Sequence, residues 1–194
     1  MAYRFGVVVL AAGKSSRFGG NKLLAEFRGK TVMEHAVSLA ASCGAARAAV
    51  VASDPDVIRI LEAQGMEVIV NGNPLLGQAH SIVLGVSSME ALDAVLLLAA
   101  DQPLLTRESL KRLIDGFTLS GKGMACLQDK THFGNPTIFS NSYFGMLKRL
   151  TGDRGAKRIL TTNADDLLIV DCIGDDELSD ADTREQLEYL KTRV

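Results

Sequence analysis

Tryptophan is absent from this 194-residue chain, and aromatic residues make up only 5% of it. A core without them rests on aliphatic side chains, which suits helices packed closely on a Val/Leu-rich sheet. The three cysteines, Cys43, Cys126 and Cys172, are odd in number and far apart. They fit neither a disulfide framework nor a zinc spacing, so a reducing, cytoplasmic setting is expected. No stretch approaches the roughly 20 apolar residues of a membrane span. Net charge is only −2, with Lys and Arg scattered along the chain. Without a broad basic field, nucleic-acid binding is disfavoured as the main function. Internal repeats, low-complexity tracts and linkers are missing too, so residues 1–194 are expected to form one domain.

What is present is 47% hydrophobic residues, enough to bury a core and to exclude wholesale disorder. Arg4 followed by Phe5–Ala12, with Ala11-Ala12-Gly13 behind it, has the outline of a secretory leader. The apolar run is only about eight residues and leads straight into a glycine-rich basic loop, which suits a buried first strand better. Apolar residues run through Phe5–Ala12 without alternating, which predicts a strand covered on both faces.

Helical spacing of Val32, His35, Ala36, Leu39, Ala40 and Cys43 predicts a helix over Thr31–Cys43. His35 on that stripe reads as a packing residue. Ala46–Ala52 and Met66–Val70 read as strands, separated by a short helix that opens at Asp54-Pro55 and runs to about Ala63. A helix over Gln78–Met89 and an apolar strand over Ala94–Ala100 follow. Thr106 caps the next helix, with Leu110, Leu113, Ile114 and Phe117 at helical spacing. Met124–Leu127 and Pro136–Ser140 are further strands, with Gly121–Asn135 irregular enough to hold a hairpin or a substrate loop. Helices near Ser142–Leu150 and Arg154–Thr161, a strand at Leu167–Val170 and a final helix from Thr183 complete the chain. Thr183 and Gln186 have the spacing of a capping box. Alternation of this kind implies an α/β fold with a doubly wound, mostly parallel, mixed sheet. Such sheets bind ligands at the carboxyl ends of their strands.

Three segments can carry chemistry there. Leu10-Ala11-Ala12-Gly13-Lys14-Ser15-Ser16-Arg17-Phe18-Gly19-Gly20-Asn21-Lys22 leaves the first strand with three glycines and three cations within nine residues. Glycines let backbone N–H groups approach phosphate oxygens, and Arg and Lys offset their charge. The spacing is neither a Walker A loop nor G-x-G-x-x-G; a solvated basic loop is the plainer alternative. Asp101, at the end of the apolar run and before Gln102-Pro103, is placed either to hold Mg2+ or simply to form a turn. Asp180 and Asp182, before Thr183, offer further metal oxygens or a helix cap. His80 and His132 have no Cys or Glu at zinc-ligand spacing.

Read in order, these segments resemble the MobA-like nucleotidyltransferases, and among them the molybdenum cofactor cytidylyltransferases (MocA-like). The family opening LAAGxSxRMGxxK stands here as Leu10 to Lys22, with Phe18 in place of Met. Asn71–Ser81 resembles a nucleotide-contacting segment, with Gly77 and Ser81 at recurring positions. Ala100–Pro103 resembles the DQP element, Gly134-Asn135-Pro136 a G-H/N-P element, Gly152–Ala156 the GD-x-GA element and Asp180–Thr183 the D-x-DT element.

The resemblance implies a Rossmann-like nucleotidyltransferase fold. It implies catalytic roles for Arg17, Lys22 and Asp101, and nucleotide binding by Leu10, Ala11, Ala12, Gly13, Ser15, Arg17, Lys22, Gly77 and Ser81. It also implies Mg2+ on Asp101, with Asp180 and Asp182 as candidate co-ligands. Family members with LAAG tend towards CTP and the guanylyl-transferring ones towards LAGG, so Ala12 favours cytidine. The implied substrates are CTP or another nucleoside triphosphate and a molybdopterin-type acceptor. The implied recipient is a molybdoenzyme apoprotein, with no nucleic acid and no membrane involved. Phe18, Asn135 and Lys157 depart from the family pattern. GMP transfer, another phosphorylated acceptor and a non-catalytic nucleotide sensor are the rival readings.

Overall fold

The computed structural model describes residues 3–130, 132–153 and 155–193. The first apolar run is β1 (Phe5–Ala11), and Val7, Val8 and Val9 are fully buried. Neighbouring strand residues point to opposite faces, so three buried in succession require protein on both sides. After the glycine-rich loop come a small antiparallel ribbon, β2 (Glu26–Phe27) and β3 (Lys30–Thr31), and α1 (Val32–Ser42). Thr31 and Glu34 form a capping box at the start of α1. Next are β4 (Arg47–Ala52), α2 (Pro55–Ala63), β5 (Glu67–Val70), α3 (Gln78–Ser88) and β6 (Ala94–Ala99). The rest is α4 (Arg107–Ser120), β7 (Met124–Gln128), β8 (Phe133–Ser140), α5 (Phe144–Leu147), α6 (Lys157–Thr162), β9 (Leu167–Asp171) and α7 (Arg184–Lys191).

Seven strands form one sheet in the order β5-β4-β1-β6-β8-β7-β9. β5, β4, β1 and β6 run parallel, β8 is antiparallel to both of its neighbours, and β9 is parallel to β7. The expected mixed, mostly parallel sheet is therefore present. Alternate residues divide the core. Val7, Val9, Leu96 and Leu98 pack with Met33 and Ala36 of α1, Leu61 of α2, Leu110 and Leu113 of α4 and Leu187 of α7. Val8, Val95 and Leu97 pack on the other face with Ile82 and Val86 of α3, Leu147 of α5 and Ile159 and Leu160 of α6. No helix among the described residues is long and apolar enough to cross a membrane.

Three expectations need adjustment. The irregular stretch after Gly121 resolves into the β7–β8 hairpin, and β8 begins at Phe133 rather than Pro136. The helix expected over Ser142–Leu150 shrinks to a 3-10 turn, Asn141–Tyr143, followed by the single turn of α5. α6 starts at Lys157; the expected start, Arg154, lies outside the described residues, and Gly155 has a left-handed φ of 52° that no helix accommodates.

α3 lies so close to β1 that a Cβ on Gly85 would sit 2.4 Å from Val8 Cγ1. Alanine is intrinsically the better helix former by about 1 kcal/mol, but overpacking a core costs about 1–3 kcal/mol. Gly85→Ala should therefore lower the urea midpoint, with a net loss of up to about 2 kcal/mol. An unchanged or raised midpoint would mean that the α3–β1 contact is looser than described.

Candidate active site

β1 lies at the point where strand order reverses, with β4 and β5 on one side and β6 on the other. Chain segments leaving the carboxyl ends of such strands diverge and open a crevice. The amide of Ala100 donates to the Leu10 carbonyl (3.2 Å), so the chain stays beside β1 for one residue past β6 before turning at Asp101. Here a cavity of about 340 Å3 is lined by Leu10, Ala11, Ala12 and Gly13, by Gly77 and Ser81 at the start of α3, and by Lys22 and Asp101.

The glycine-rich loop is held at two points. Phe18 is buried in the core below α7, where the Arg184 guanidinium lies 5.3 Å from its ring centroid. Beyond it, Asn21 caps a 3-10 turn, Lys22–Leu24, by accepting from the Leu23 amide (3.1 Å), and Leu23 is buried. The Ser15 Oγ accepts from the Lys22 amide (3.3 Å). These contacts fix the backbone from which Lys22 projects.

The Lys22 side chain, only 9% exposed, carries its ammonium between two carboxylates. Its Nζ donates to Asp101 Oδ2 (2.5 Å) and to Asp182 Oδ1 (2.7 Å). Burial on its own lowers a lysine pKa, but the charges and hydrogen bonds of Asp101 and Asp182 outweigh it and leave the ammonium held above its usual range. Arg17, 71% exposed, donates to the other oxygen of Asp182 (2.5 Å). Burial acts on Asp182 in the opposite sense, yet Lys22 and then Arg17 keep its carboxyl below the usual range.

Asp180 completes the acidic group. Desolvation by the protein packed around it, and then the negative charge of Asp101, push its carboxyl up to about 6. The second cause is the firmer one, because the Asp180 side chain keeps contact with solvent. The segment that carries Asp180 and Asp182 is tied down from several sides. The Ala181 amide donates to the Asp101 carbonyl (2.9 Å). Buried Glu177 accepts from the Thr106 amide and hydroxyl, from Ser109 Oγ and from the Gly174 amide.

The expected residues thus divide into groups. Leu10–Gly13, Gly77, Ser81, Lys22 and Asp101 line the cavity; Arg17, Asp180 and Asp182 flank it through Asp101 and Lys22; Ser15 supports the loop instead of lining the cavity. Among the described residues, no group of three or more His, Cys, Asp or Glu side chains is arranged to hold a metal by itself. The ammonium between Asp101 and Asp182 separates those two carboxylates. A divalent cation at Asp101 would therefore take water or substrate oxygens to complete its shell. The all-oxygen donors fit Mg2+ in kind, and Asp180 adds a carboxylate whose charge is felt by Asp101.

Several wall residues were not singled out in the sequence, among them Lys14, Leu75, Gln78 and Asp153. Each stood inside a quoted segment: Lys14 in Leu10–Lys22, Leu75 and Gln78 in Asn71–Ser81, and Asp153 in Gly152–Ala156. Ser81 has a structural duty as well, because its Oγ accepts from buried Asn71 Nδ2 (3.0 Å). Gly77 has a stronger one. With φ 83° and ψ −177° it occupies backbone space that is essentially glycine-only. A Cβ there would lie 2.6 Å from the Gly152 carbonyl oxygen. Gly77→Ala should cost about 1–3 kcal/mol of stability from backbone strain alone and lower the melting temperature further than Gly85→Ala does. Equal melting temperatures for Gly77→Ala and the unmodified protein would contradict this geometry.

Comparison with known proteins identifies the family and the fold. The sequence is 29% identical over 198 residues to purine catabolism protein PucB of Bacillus subtilis (strain 168), covering 95% of this chain and 94% of that protein. The fold superposes on Rv0371c from Mycobacterium tuberculosis H37Rv with a TM-score of 0.84 at 25% identity, covering 98% of this chain and 99% of that one. A manganese complex of the same mycobacterial protein is also similar, with a TM-score of 0.80. Molybdopterin-guanine dinucleotide biosynthesis protein A from Archaeoglobus fulgidus shares the fold, with a TM-score of 0.73, 17% identity and 96% of each chain covered. The profile of the MobA-like NTP transferase domain matches residues 7–167. With that match spanning most of the sheet and its crevice, the chain belongs to the MobA-like NTP transferase family and is a nucleotidyltransferase.

Proposed function

We propose that this chain moves CMP from magnesium-bound CTP onto the phosphate of a molybdopterin-type acceptor, releasing pyrophosphate. The observation that carries the reading is the Lys22 ammonium, buried beside Asp101 in the wall of a cavity whose other wall is the Leu10–Gly13 turn. Gly13 adds support. A Cβ there would meet no atom within 4 Å, so the fold does not demand this glycine, whereas a phosphate lying against the backbone does. Cytidine is favoured by Ala12 in the family's LAAG opening. A divalent cation is in keeping with the manganese complex of the mycobacterial relative.

In this reading the acceptor phosphate attacks the α-phosphorus of CTP in line. The α–β phosphoanhydride bond breaks, and pyrophosphate leaves with its electron pair. Such chemistry asks mainly for positioning and charge stabilisation. The acceptor phosphate is already anionic at pH 7, so no side chain has to remove a proton. Lys22 acts as a point charge on the phosphates and Arg17 as a planar donor fork. The backbones of Leu10, Ala11 and Ala12 read the base; Gly13 and Ser15 shape the turn around the phosphates, and Gly77 and Ser81 close the far wall. Asp101, with Asp180 or Asp182, holds the magnesium, which when bound offsets charge on the α-phosphate and the leaving group.

The acceptor has a place to lie. A second cavity of about 240 Å3 shares Leu10 and Gln78 with the first, so the two are contiguous. Its walls include Ile82, Leu97 and Leu160, and Lys157 Nζ stands 5.6 Å from the centroid of the Phe133 ring at its side. An apolar slot with one cation suits a flat ring system that bears an anionic group. The product would pass to a molybdoenzyme apoprotein. The three free cysteines fit a cytoplasmic protein in a reducing setting.

Incubation with molybdopterin, Mg2+ and each nucleoside triphosphate in turn, followed by product mass, tests the reading. The cytidine dinucleotide of molybdopterin is expected. A guanine dinucleotide would reassign the base, and tight CTP binding without any product would favour a sensor. Lys22→Ala or Arg17→Ala should lower pyrophosphate release by roughly 10²–10³-fold, as for loss of one preorganised charge-stabilising donor. Asp101→Asn should abolish magnesium-dependent turnover, and folded variants with normal turnover would remove these residues from the reaction. Lys157→Ala should raise KM for the acceptor about tenfold, equivalent to about 1.4 kcal/mol, with KM for CTP unchanged. A matching rise in KM for CTP would show that the second cavity is not a separate acceptor slot.

A further inference from the structure

We infer that Gln102 is a positioning residue whose buried amide sets the Asp180 carboxylate beside Asp101 and thereby governs the divalent-metal affinity of the site. The inference rests on the reading above, in which Asp101 and Asp180 are available to the metal.

Gln102 directly follows Asp101 and is only 7% exposed. Its Nε2 donates to the Leu178 carbonyl (3.0 Å) and to Asp180 Oδ1 (3.2 Å), so both N–H groups of the amide serve the C-terminal acidic segment. Its Oε1 is buried with no hydrogen-bond partner among the described residues. An unsatisfied buried acceptor costs about 1–3 kcal/mol, and an apolar side chain of similar volume would avoid that cost. What the amide contributes in return is its two donors. Neither Met nor Leu could serve the Leu178 carbonyl or the carboxylate.

Other ties on this segment act on its backbone. The Ala181 amide donates to the Asp101 carbonyl, and Glu177 anchors the chain to Thr106 and Ser109. Only the Gln102 bond, among the described residues, reaches the side chain of Asp180. That side chain is exposed, stands beside two other carboxylates and has no cation among the described residues bonded to it, so repulsion and rotamer freedom both favour its turning away. One hydrogen bond from a rigid, buried neighbour of Asp101 opposes both. Gln102 thereby couples the strand end that carries one carboxylate to the loop that carries the other. Partners of this kind, one step behind a metal ligand, typically change metal affinity by 10–100-fold when removed.

Mn2+ alone, titrated against the full-length protein with water-proton relaxation as the readout, tests this on four proteins: unmodified, Gln102→Met, Asp180→Asn and the double variant. Gln102→Met should weaken Mn2+ binding about tenfold. Because Gln102 acts through Asp180, the double variant should bind no more weakly than Asp180→Asn alone. Gly85→Ala, destabilised at a distance from the site, should bind Mn2+ as the unmodified protein does, which separates positioning from a general loss of stability. If Gln102→Met loses its near-UV circular dichroism, Gln102→Asn takes its place, since its amide is one methylene too short to reach Asp180. Unmodified affinity in the folded variant, or a double variant weaker by the product of the two single effects, would overturn the positioning role while leaving the metal reading intact. Failure of the unmodified protein to bind Mn2+ would overturn the metal reading, and this inference with it.

Discussion

A lysine ammonium withdrawn from water is tolerable only beside negative charge, and Lys22 meets that condition by lying between Asp101 and Asp182. Removing either partner would leave a buried charge less compensated, so three separate parts of the chain are drawn to one point. Lys22 and Asp101 are 79 residues apart, and Lys22 and Asp182 are 160 apart. The glycine-rich loop, the end of β6 and the segment before α7 can meet only because β1 and β6 are parallel neighbours and α7 packs back on the same face of the sheet. The fold is in this sense a device for bringing a cation and carboxylates to the rim of one cavity. In the proposed reaction a triphosphate and its metal would exchange partners with groups of the same two signs, so that the cluster could hold together both with and without substrate.

Much of this was legible in the sequence because the signals were local and strong. An unbroken apolar run predicted β1 and β6, and their termini carried the Leu10–Lys22 loop and Asp101. Capping residues marked the starts of α2, α4 and α7, and helical spacing marked α1, each to within a residue or two. The losses have physical causes. β2 and β3 have two residues each and leave no periodicity to detect. The insertion of antiparallel β8 between β6 and β7 is a non-local choice, supported by side chains such as Asn135. With Nδ2 towards the Leu97 carbonyl and Oδ1 towards the Ala99 amide, both at 2.8 Å, that amide extends the β6–β8 ladder past its last backbone pair.

The candidate site shows the same division. Lys22 and Asp101 were readable because a motif and a strand end named them. Gln102 stood in the DQP element, but its role is not readable until the Asp180 loop is seen folding over it. Phe18 read only as a departure from the family's methionine, yet it is the anchor of the loop, buried beneath Arg184. Glu177 stood in an unremarkable acidic stretch and emerges with four hydrogen-bond donors at the start of α4. Residues that touch a ligand leave a pattern in sequence, whereas residues that hold those residues in place become visible only through contacts.

The central claim is that the turn after β1 and Asp101 enclose a metal-bound triphosphate. A crystal structure with Mn2+ and a CTP analogue that cannot be cleaved between its α- and β-phosphates tests it most directly, with anomalous scattering locating the metal. The account predicts manganese on a carboxylate oxygen of Asp101, phosphate oxygens against the Gly13 backbone and the Lys22 ammonium, and cytosine beside Leu10–Ala12. A triphosphate bound elsewhere, with no manganese on Asp101 and Lys22 still bridging Asp101 and Asp182, would contradict it.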